Sequence, residues 1–161
     1  MSPPPTVEPC DPLSAAALVL LRAAAVEARE LYPEFQTPDT PWPTNLPTPP
    51  RGIYLVAFVD SAPVACGALR PIDEQVAEVR RMFVLEGARR RGHARFVLSA
   101  LEAHAMTSGF TVMRLETGNR QSAAMALYES CGFVRISPFG EYIGDPTSVC
   151  YEKRIASELS A

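Results

Sequence analysis

The chain has 161 residues, of which 47% are hydrophobic, and a mean hydropathy of +0.02. This is enough for one domain with its own core, and we predict a single domain over residues 1–161. The net charge of −3 and the pI near 5.4 argue against nonspecific nucleic-acid binding. No apolar run approaches membrane-spanning length, and no basic segment precedes Leu13–Val26, so we expect a cytoplasmic protein without a membrane partner.

The prolines divide the N-terminal part of the chain, because 12 of the 16 lie within the first 50 residues. We predict a proline-rich tail over 1–12, a helix over Leu13–Leu31 and a proline-rich loop over 33–50. Alanine and leucine favour the helix, and either Ser14 or Asp11 is suited to cap it. Proline fixes φ and removes a hydrogen-bond donor, so the loop should be extended and semi-rigid.

Apolar runs and alternations then predict a mixed α/β domain. The predicted strands are Ile53–Val59, Pro63–Leu69, Val76–Val84, Thr111–Thr117, Phe133–Ile136 and Val149–Ile155. Helical spacing predicts a long helix from Ala94 that ends at Gly109, and a second over Ser122–Cys131. Strict alternation along the third strand places Ala77, Val79 and Phe83 on one face, and Val76, Glu78, Met82 and Val84 on the other.

The turn Arg89-Arg90-Arg91-Gly92-His93-Ala94 joins that third strand to the long helix. A glycine-bearing turn before a helix leaves backbone N–H groups unpaired and pointing the same way, which suits a bound phosphate. Three arginines add positive charge. The alternative is that one or two of them only solvate the surface.

These elements resemble the GNAT superfamily of N-acetyltransferases, whose acyl-CoA signature is Arg/Gln-x-x-Gly-x-Gly/Ala. Arg89, Gly92 and Ala94 occupy the signature positions. Downstream, Leu115-Glu116-Thr117 is similar to the family's fifth strand, and Ala124-x-x-Leu127-Tyr128-x-x-x-Gly132-Phe133 to the second CoA-side helix and the following strand. Two motifs in the right order and spacing are more specific than one.

The resemblance spans Gly52–Ile155 and implies a mostly antiparallel sheet, flanked by helices, with splayed central strands. It implies acetyl-CoA as cosubstrate and N-acetylation by direct transfer in a ternary complex. It assigns CoA binding to the turn residues Arg89, Arg90, Arg91, Gly92, His93, Ala94 and Arg95, to the strand residues Met82, Phe83 and Val84, and to Gln121. Gln121 replaces an asparagine that many relatives use to contact the pantetheine arm.

Acetyl transfer to an amine needs a base, an acid for the departing thiolate and a donor to the carbonyl oxygen. By resemblance Glu78 is the base, Tyr128 is the acid, and a backbone N–H of Met82–Val84 is the oxyanion donor. The alternative roles are a structural ion pair for Glu78 and core packing for Tyr128. Glu116 is the second candidate base, and ordered water is the third option.

The acceptor is expected to be a small-molecule amine or an amino acid. By resemblance, Tyr32, Phe35 or Trp42 helps to wall its site; the alternative is that these aromatics only pin the loop. Glu141 or Asp145, in the segment 137–146, would attract a cationic amine or act as a turn residue. The rival functions are a noncatalytic acyl-CoA sensor or complex subunit and, less favoured, a protein lysine or N-terminal acetyltransferase.

The cysteines and histidines complete the candidate chemistry. The spacing of Cys10, Cys66, Cys131 and Cys150 has no Cys-x-x-Cys pair, and the two histidines complete no zinc motif, so we expect no metal. His93 is expected to contribute its backbone N–H while its ring faces solvent, and His104 to be a helix residue without a catalytic role. The residues do not fix the oligomeric state, and a homodimer is one option.

Overall fold

A computed structural model describes residues 3–156 and contains one seven-stranded sheet of order β1-β2-β3-β4-β5-β7-β6. The strands are β1 Thr6–Pro9, β2 Ile53–Val59, β3 Ala62–Pro71, β4 Val76–Val84, β5 Val112–Gly118, β6 Val134–Ile136 and β7 Ser148–Arg154. Among the neighbours, β4 and β5 pair in parallel and the others are antiparallel. The predicted mixed, mostly antiparallel sheet is confirmed.

Three helices cover the sheet: α1 Ala15–Leu31, α2 His93–Thr107 and α3 Ser122–Ser130. Ser14 is the N-cap of α1, because its Oγ accepts from the backbone N–H of Ala17 at 3.3 Å. This cap places the first helical residue at Ala15, two positions later than predicted. Single-turn 3₁₀ helices occur at Pro33–Phe35, Glu86–Ala88 and Gly140–Tyr142.

The helices lie on opposite faces of the sheet. On one face, α1 packs Ala17 and Leu20 against Tyr54, Val56 and Cys66. On the other face, α2 and α3 build the larger core, which includes Val97, Leu101, Met113, Leu115, Tyr128, Phe133 and Tyr151. The alternation of β2 and β3 residues between these two clusters follows from the period of two in a strand.

Strand β1 lies inside the segment 1–12 that the sequence analysis left as a tail. It pairs antiparallel with β2, from Thr6 opposite Phe58 to Pro9 opposite Leu55. Proline disfavours a strand, and the prolines of this segment therefore gave no sign of β1 in the sequence. An edge strand tolerates proline because one side of its backbone has no neighbour to bond.

A β-bulge interrupts β4. Cys66 of β3 pairs with Phe83 and Ala68 pairs with Arg80, so Arg81 and Met82 both lie opposite Gly67. Arg81 adopts φ of 60°, which is uncommon for a residue other than glycine.

The bulge reverses the faces downstream, and the predicted face assignment of β4 is therefore wrong. Met82 and Val84 join the α2-side core together with Ala77 and Val79, while Phe83 packs on the α1 side. Strict alternation fails because the bulge adds one residue to β4 without adding one to β3.

Within residues 3–156, no helix is both long and apolar enough to cross a membrane.

Candidate active site

Strands β4 and β5 separate in the middle of the sheet. Their parallel pairing ends at Val79 and Leu115, although β4 continues to Val84 and β5 to Gly118. Beyond that point the facing edges lack a strand partner. Their backbone N–H and C=O groups are therefore available to another extended molecule.

A cavity of about 300 Å³ lies at this separation and is lined from both faces of the sheet. Its wall includes Leu20 and Ala24 of α1, Met82 and Phe83 of β4, Glu116 of β5 and Tyr128 of α3. The Glu116 carboxylate and the Tyr128 phenol thus share a cavity whose wall combines apolar side chains with polar ones. Such a combination of apolar walls and a few polar groups is typical of small-molecule sites.

The turn before α2 presents backbone amides rather than a side-chain cap. Gly92 is the N-cap of α2 with φ of 82°, a left-handed conformation that glycine adopts without steric cost. A Cβ at Gly92 would meet nothing within 4 Å, so the space over the turn is open. The first N–H groups of α2 have no intrahelical acceptor, and the turn therefore fits a phosphate.

The arginines of the turn differ in their surroundings. Arg89 donates to the carbonyl oxygen of Val84 at 3.0 Å and pairs with Glu27 of α1 at 2.6 Å. Arg95 bonds Ser130 Oγ at 2.5 Å and Cys131 Sγ at 3.3 Å. In the part of the chain that the structure describes, Arg90 and Arg91 are exposed and have no side-chain partner. They are the two cations of the turn best placed to meet a phosphate.

The ring of His93 is buried, which corrects the expectation that it faces solvent. The residue is 3% exposed, and its Nδ1 has no hydrogen-bond partner within residues 3–156. His93 is the first residue of α2, whose packing against the sheet encloses the side chain. Its backbone N–H still belongs to the turn.

Glu78 lies outside the cavity wall and has a complete set of partners. It is 3% exposed, and one carboxylate oxygen meets Arg70 of β3 at 3.0 and 2.9 Å. The other oxygen accepts from the Tyr142 hydroxyl at 2.6 Å and lies 3.6 Å from Arg80. Burial and this hydrogen bond raise the pKa of Tyr142, which keeps its hydroxyl a donor. The geometry is that of the structural ion pair given above as the alternative.

Glu116 lies on β5 in the wall of the cavity. Ser148 Oγ donates to its Oε2 at 2.6 Å, and Oε1 has no hydrogen-bond partner among the described residues. Burial raises the pKa of Glu116, and the charge of Asp145 adds to the rise, while the Ser148 hydrogen bond opposes it. A half-buried carboxylate with a free oxygen and a raised pKa is suited to accept a proton.

Tyr128 lines the same cavity from α3. Its ring packs against Phe133 at 5.9 Å and Tyr151 at 6.1 Å, and its hydroxyl bonds no other described residue. Burial raises the pKa of Tyr128, and the charges of Cys131 and Glu116 add to the rise, so the hydroxyl is protonated at neutral pH. Gln121, at the N-cap of α3, also lines the cavity.

A second cavity of about 300 Å³ adjoins the first, since Glu116, Gln121 and Ala28 line both. Its other walls include Tyr32, Phe35, Asp145 and Thr147. The carboxylate of Asp145 accepts from the backbone N–H of Thr147 at 2.9 Å and from its Oγ1 at 2.8 Å, and so serves as a turn residue at the rim.

The aromatics of the proline-rich loop have two different roles. Trp42 lies outside both cavities, with the guanidinium groups of Arg22 and Arg29 at 3.3 and 3.5 Å from its ring centroid. Cation–π contacts at this distance pin the loop to α1. Tyr32 and Phe35, by contrast, line the second cavity.

Comparison with known proteins identifies the family. Residues 20–133 match the acetyltransferase (GNAT) family, which is well over half of the chain. The chain belongs to the GNAT family of acetyltransferases.

A curated acetyltransferase is similar to this chain over more than half of its length. An IAA acetyltransferase of Azospirillum brasilense is 40% identical over 102 residues, covering 62% of this chain and 66% of that protein. The chain spans less than two thirds of the length of the curated relatives that it matches first.

Two solved structures are similar to this GNAT protein along most of the chain. The structure of a candidate acyl-CoA N-acyltransferase from Klebsiella pneumoniae is 30% identical, with a TM-score of 0.76, and covers 93% of this chain and 97% of that one. A GNAT acetyltransferase from Elizabethkingia anophelis, solved with acetyl-CoA bound, has a TM-score of 0.70 at 17% identity and covers 96% of this chain and 100% of that one.

The sequence did not reveal the positions of three polar residues in this GNAT protein's site region. Tyr142 donates to Glu78, Arg81 occupies the bulge, and Tyr54 lines the cavity from β2. Each depends on a long-range contact, so no local spacing signals it. Within residues 3–156, no group of three or more metal-ligating side chains occurs, and the cysteines are free thiols.

Proposed function

We propose that this GNAT protein transfers the acetyl group of acetyl-CoA to the amine of a small molecule or an amino acid, within a ternary complex. The observation that carries the proposal is the single cavity that joins the open edge of β4, the Glu116 carboxylate and the Tyr128 hydroxyl. The similar IAA acetyltransferase and the acetyl-CoA in the Elizabethkingia structure support it. We place this activity in a single cytoplasmic domain.

For the donor, we assign the pyrophosphate of CoA to the turn residues 89–95. The backbone of Met82–Val84 would hold the pantetheine arm and the thioester carbonyl as an added strand, and Gln121 would contact the arm. Met82 and Phe83 line the cavity, which supports this path for the arm. Arg90 and Arg91 contribute charge, whereas Arg89 mainly fixes the turn to α1 through Glu27.

For the base, we favour Glu116 over Glu78. Glu116 lines the cavity with one free oxygen, whereas both oxygens of Glu78 are engaged and the residue lies outside the wall. A base outside the cavity would need a water chain to reach the amine.

For the acid, we assign Tyr128. The cationic acceptor first loses one proton to solvent. The neutral nitrogen then forms the new C–N bond as the C–S bond breaks, a second amine proton goes to Glu116, and the thiolate takes the Tyr128 proton. Glu116 then returns its proton to Tyr128, directly or through water. Burial raises the pKa of Tyr128, so its hydroxyl is protonated at neutral pH and available to the departing thiolate.

For the acceptor, the second cavity provides the entry. Glu116 and the rim residue Asp145 make its mouth acidic, which attracts a cationic amine. Glu141 is less suited to this role, since it pairs with Arg80 at 3.2 Å. The two cavities, each about 300 Å³, favour a small molecule over a folded protein.

The test follows free thiol release from acetyl-CoA with a panel of amines and amino acids. We expect turnover, and we expect Glu116→Gln to lower kcat by about 10²-fold or more with unchanged CoA affinity. The base must be deprotonated to act, so the wild-type rate should rise with pH as Glu116 loses its proton. Because burial raises the pKa of Glu116, this rising limb of the pH–rate profile should lie at higher pH than that of an ordinary carboxyl group. The variant should lack that limb.

Glu78→Gln is the matched control. It breaks the Arg70 ion pair, so it should lower stability but retain the pH limb. If Glu78→Gln removed the limb and Glu116→Gln kept it, the base would be Glu78. Tight CoA binding by calorimetry without turnover of any acceptor would instead establish the sensor function.

A further inference from the structure

Two polar residues, Arg81 and Tyr54, line the first cavity on its α1 side. The proposed function gives neither of them a role in binding CoA or in proton transfer. Arg81 comes from the bulge of β4 and Tyr54 from β2, so the pair lies on the strands opposite Glu116 of β5.

Arg81 is a half-buried cation without an anion. Its Nε donates to Asn45 Oδ1 at 3.0 Å and one terminal nitrogen donates to the Thr44 carbonyl oxygen at 3.2 Å, which are both neutral groups. No carboxylate among residues 3–156 pairs with it. Arg80, the other arginine of the wall, already pairs with Glu78 and Glu141. A guanidinium has five N–H donors, so Arg81 retains donors for another ligand.

Tyr54 supplies a second unused donor. The residue is 4% exposed, and its hydroxyl has no hydrogen-bond partner in the described part of the chain. Burial raises the pKa of Tyr54 and the neighbouring Cys66 thiol adds to the rise, while Asn45 and the charge of Arg81 act against it, so the hydroxyl lies beside Cys66, Asn45 and Arg81. A buried hydroxyl without a hydrogen bond destabilises the fold, and a ligand that accepts its hydrogen bond would recover that loss.

An anionic group would satisfy both residues together. Burial and the adjacent charge of Arg80 lower the pKa of Arg81, so a negative ligand would be electrostatically favoured there. Arg81 also holds a left-handed φ of 60° at the β4 bulge, and β-bulges are over-represented next to active sites. The cavity is too small for a nucleotide in addition to an acyl arm, and a carboxylate is the anion that fits beside an amine.

We propose that the acceptor is an amino acid whose carboxylate binds the Arg81 guanidinium and the Tyr54 hydroxyl while its amine faces Glu116. This rests on the proposed function and names the acceptor class. The side chain of the amino acid would lie against Leu20, Leu21, Ala24 and Ala25 of α1, which line the same cavity, so the preferred side chains are apolar.

The experiment compares acceptors that differ only at the carboxylate. The pairs are L-leucine with L-leucinamide and L-phenylalanine with L-phenylalaninamide, and phenethylamine lacks the group entirely. We expect the wild type to prefer each acid over its amide by about 100-fold in kcat/KM, mainly through KM. Arg81→Gln, which keeps a donor toward Asn45, should reduce that preference to about 10-fold or less with an unchanged KM for acetyl-CoA.

Tyr54→Phe is the second variant. It removes an unpaired hydroxyl, so it should fold at least as well as the wild type and still lose several-fold of the preference. A merely structural Arg81 would lower the rates with acids and amides equally when replaced. That result, or equal rates with both members of a pair in the wild type, would overturn the proposal.

Binding separates this inference from the transferase activity. Calorimetry on CoA-saturated protein measures the affinity for each acid and its amide without any turnover. An acid preference that Arg81→Gln removes supports the carboxylate site even if no acetylation occurs. Equal affinities for acid and amide overturn the inference even if amines are acetylated.

Discussion

Tyr128 combines a packing role with a free hydroxyl, and the two can be tested separately. Its ring lies between Phe133 and Tyr151, and phenylalanine would keep those contacts. We expect Tyr128→Phe to melt within a few degrees of the wild type but to lower kcat by about 10²-fold, since only the proton donor is lost. The KM for acetyl-CoA should change little.

Steady-state kinetics and thermal unfolding monitored by circular dichroism check this expectation. If Tyr128→Phe kept full activity across the pH range, Tyr128 would not be the proton donor and would serve only in core packing. A variant that melts far below the wild type would show instead that its hydroxyl contributes to the fold.

The surroundings of Glu78 also explain why the sequence favoured it as the base. The resemblance implied a base at Glu78 on β4, but local spacing cannot reveal Arg70 or Tyr142. Arg70 lies on β3 and Tyr142 lies 64 positions further along the chain, so only the fold brings them to Glu78. Glu116 was named from its strand, but its burial and its free oxygen also depend on tertiary packing.

At the scale of elements, the sequence predicted where β4 begins and ends but not how it bends. Apolar composition and the following turn define Val76–Val84, whereas the bulge depends on the pairing between Gly67 and the two β4 residues opposite it. The bulge exchanges the faces of Met82 and Phe83, and it brings Arg81 to the cavity. The turn at Gly92 was predictable because its glycine and arginines are contiguous.

The contact between the end of α1 and the end of β5 gives a testable prediction at this scale. A Cβ on Gly118 would lie 1.9 Å from the Tyr32 hydroxyl, which accepts from the backbone N–H of Arg120 at 3.0 Å. Gly118→Ala must therefore displace Tyr32, which lines the second cavity. We expect a loss of about 1–3 kcal/mol in unfolding free energy and a several-fold higher acceptor KM.

Chemical denaturation and acceptor kinetics measure these two effects. Tyr32→Phe is the control, because it removes only the hydroxyl and should cost about 1 kcal/mol or less. If Gly118→Ala kept both the stability and the acceptor KM of the wild type, Tyr32 would not be the link between α1 and the acceptor entry.

At the scale of the whole molecule, side-chain contacts join the turn 89–95 to α1 and β4 to the proline-rich loop. Arg89 connects the turn to Glu27 of α1 at 2.6 Å, and Arg81 connects β4 to the proline-rich loop through Asn45. Asn45 in turn donates to the Pro12 carbonyl oxygen at 2.9 Å. A ligand at the turn therefore binds a surface to which β4, α1 and α2 all contribute, and its binding should stabilise the entire fold.

Ligand-induced stabilisation provides the last prediction. A ligand at 100 times its dissociation constant contributes about 2.7 kcal/mol, which raises Tm by roughly 5–10 °C for a chain of this size. We expect this shift with CoA, and most of it with dephospho-CoA, which keeps the pyrophosphate. Pantetheine should give little, because the turn would have no phosphate to bind.

Two sets of variants distinguish the cations of the turn. Replacement of both Arg90 and Arg91 by glutamine should keep the Tm of the free protein and reduce the gain from CoA, because neither arginine has a side-chain partner among the described residues. Arg89→Gln should lower the Tm of the free protein, since it breaks the pair with Glu27. Differential scanning fluorimetry measures these Tm values. If pantetheine raised the Tm as much as CoA does, the turn would not bind the CoA phosphates, and the proposed binding of acetyl-CoA at the turn would be wrong.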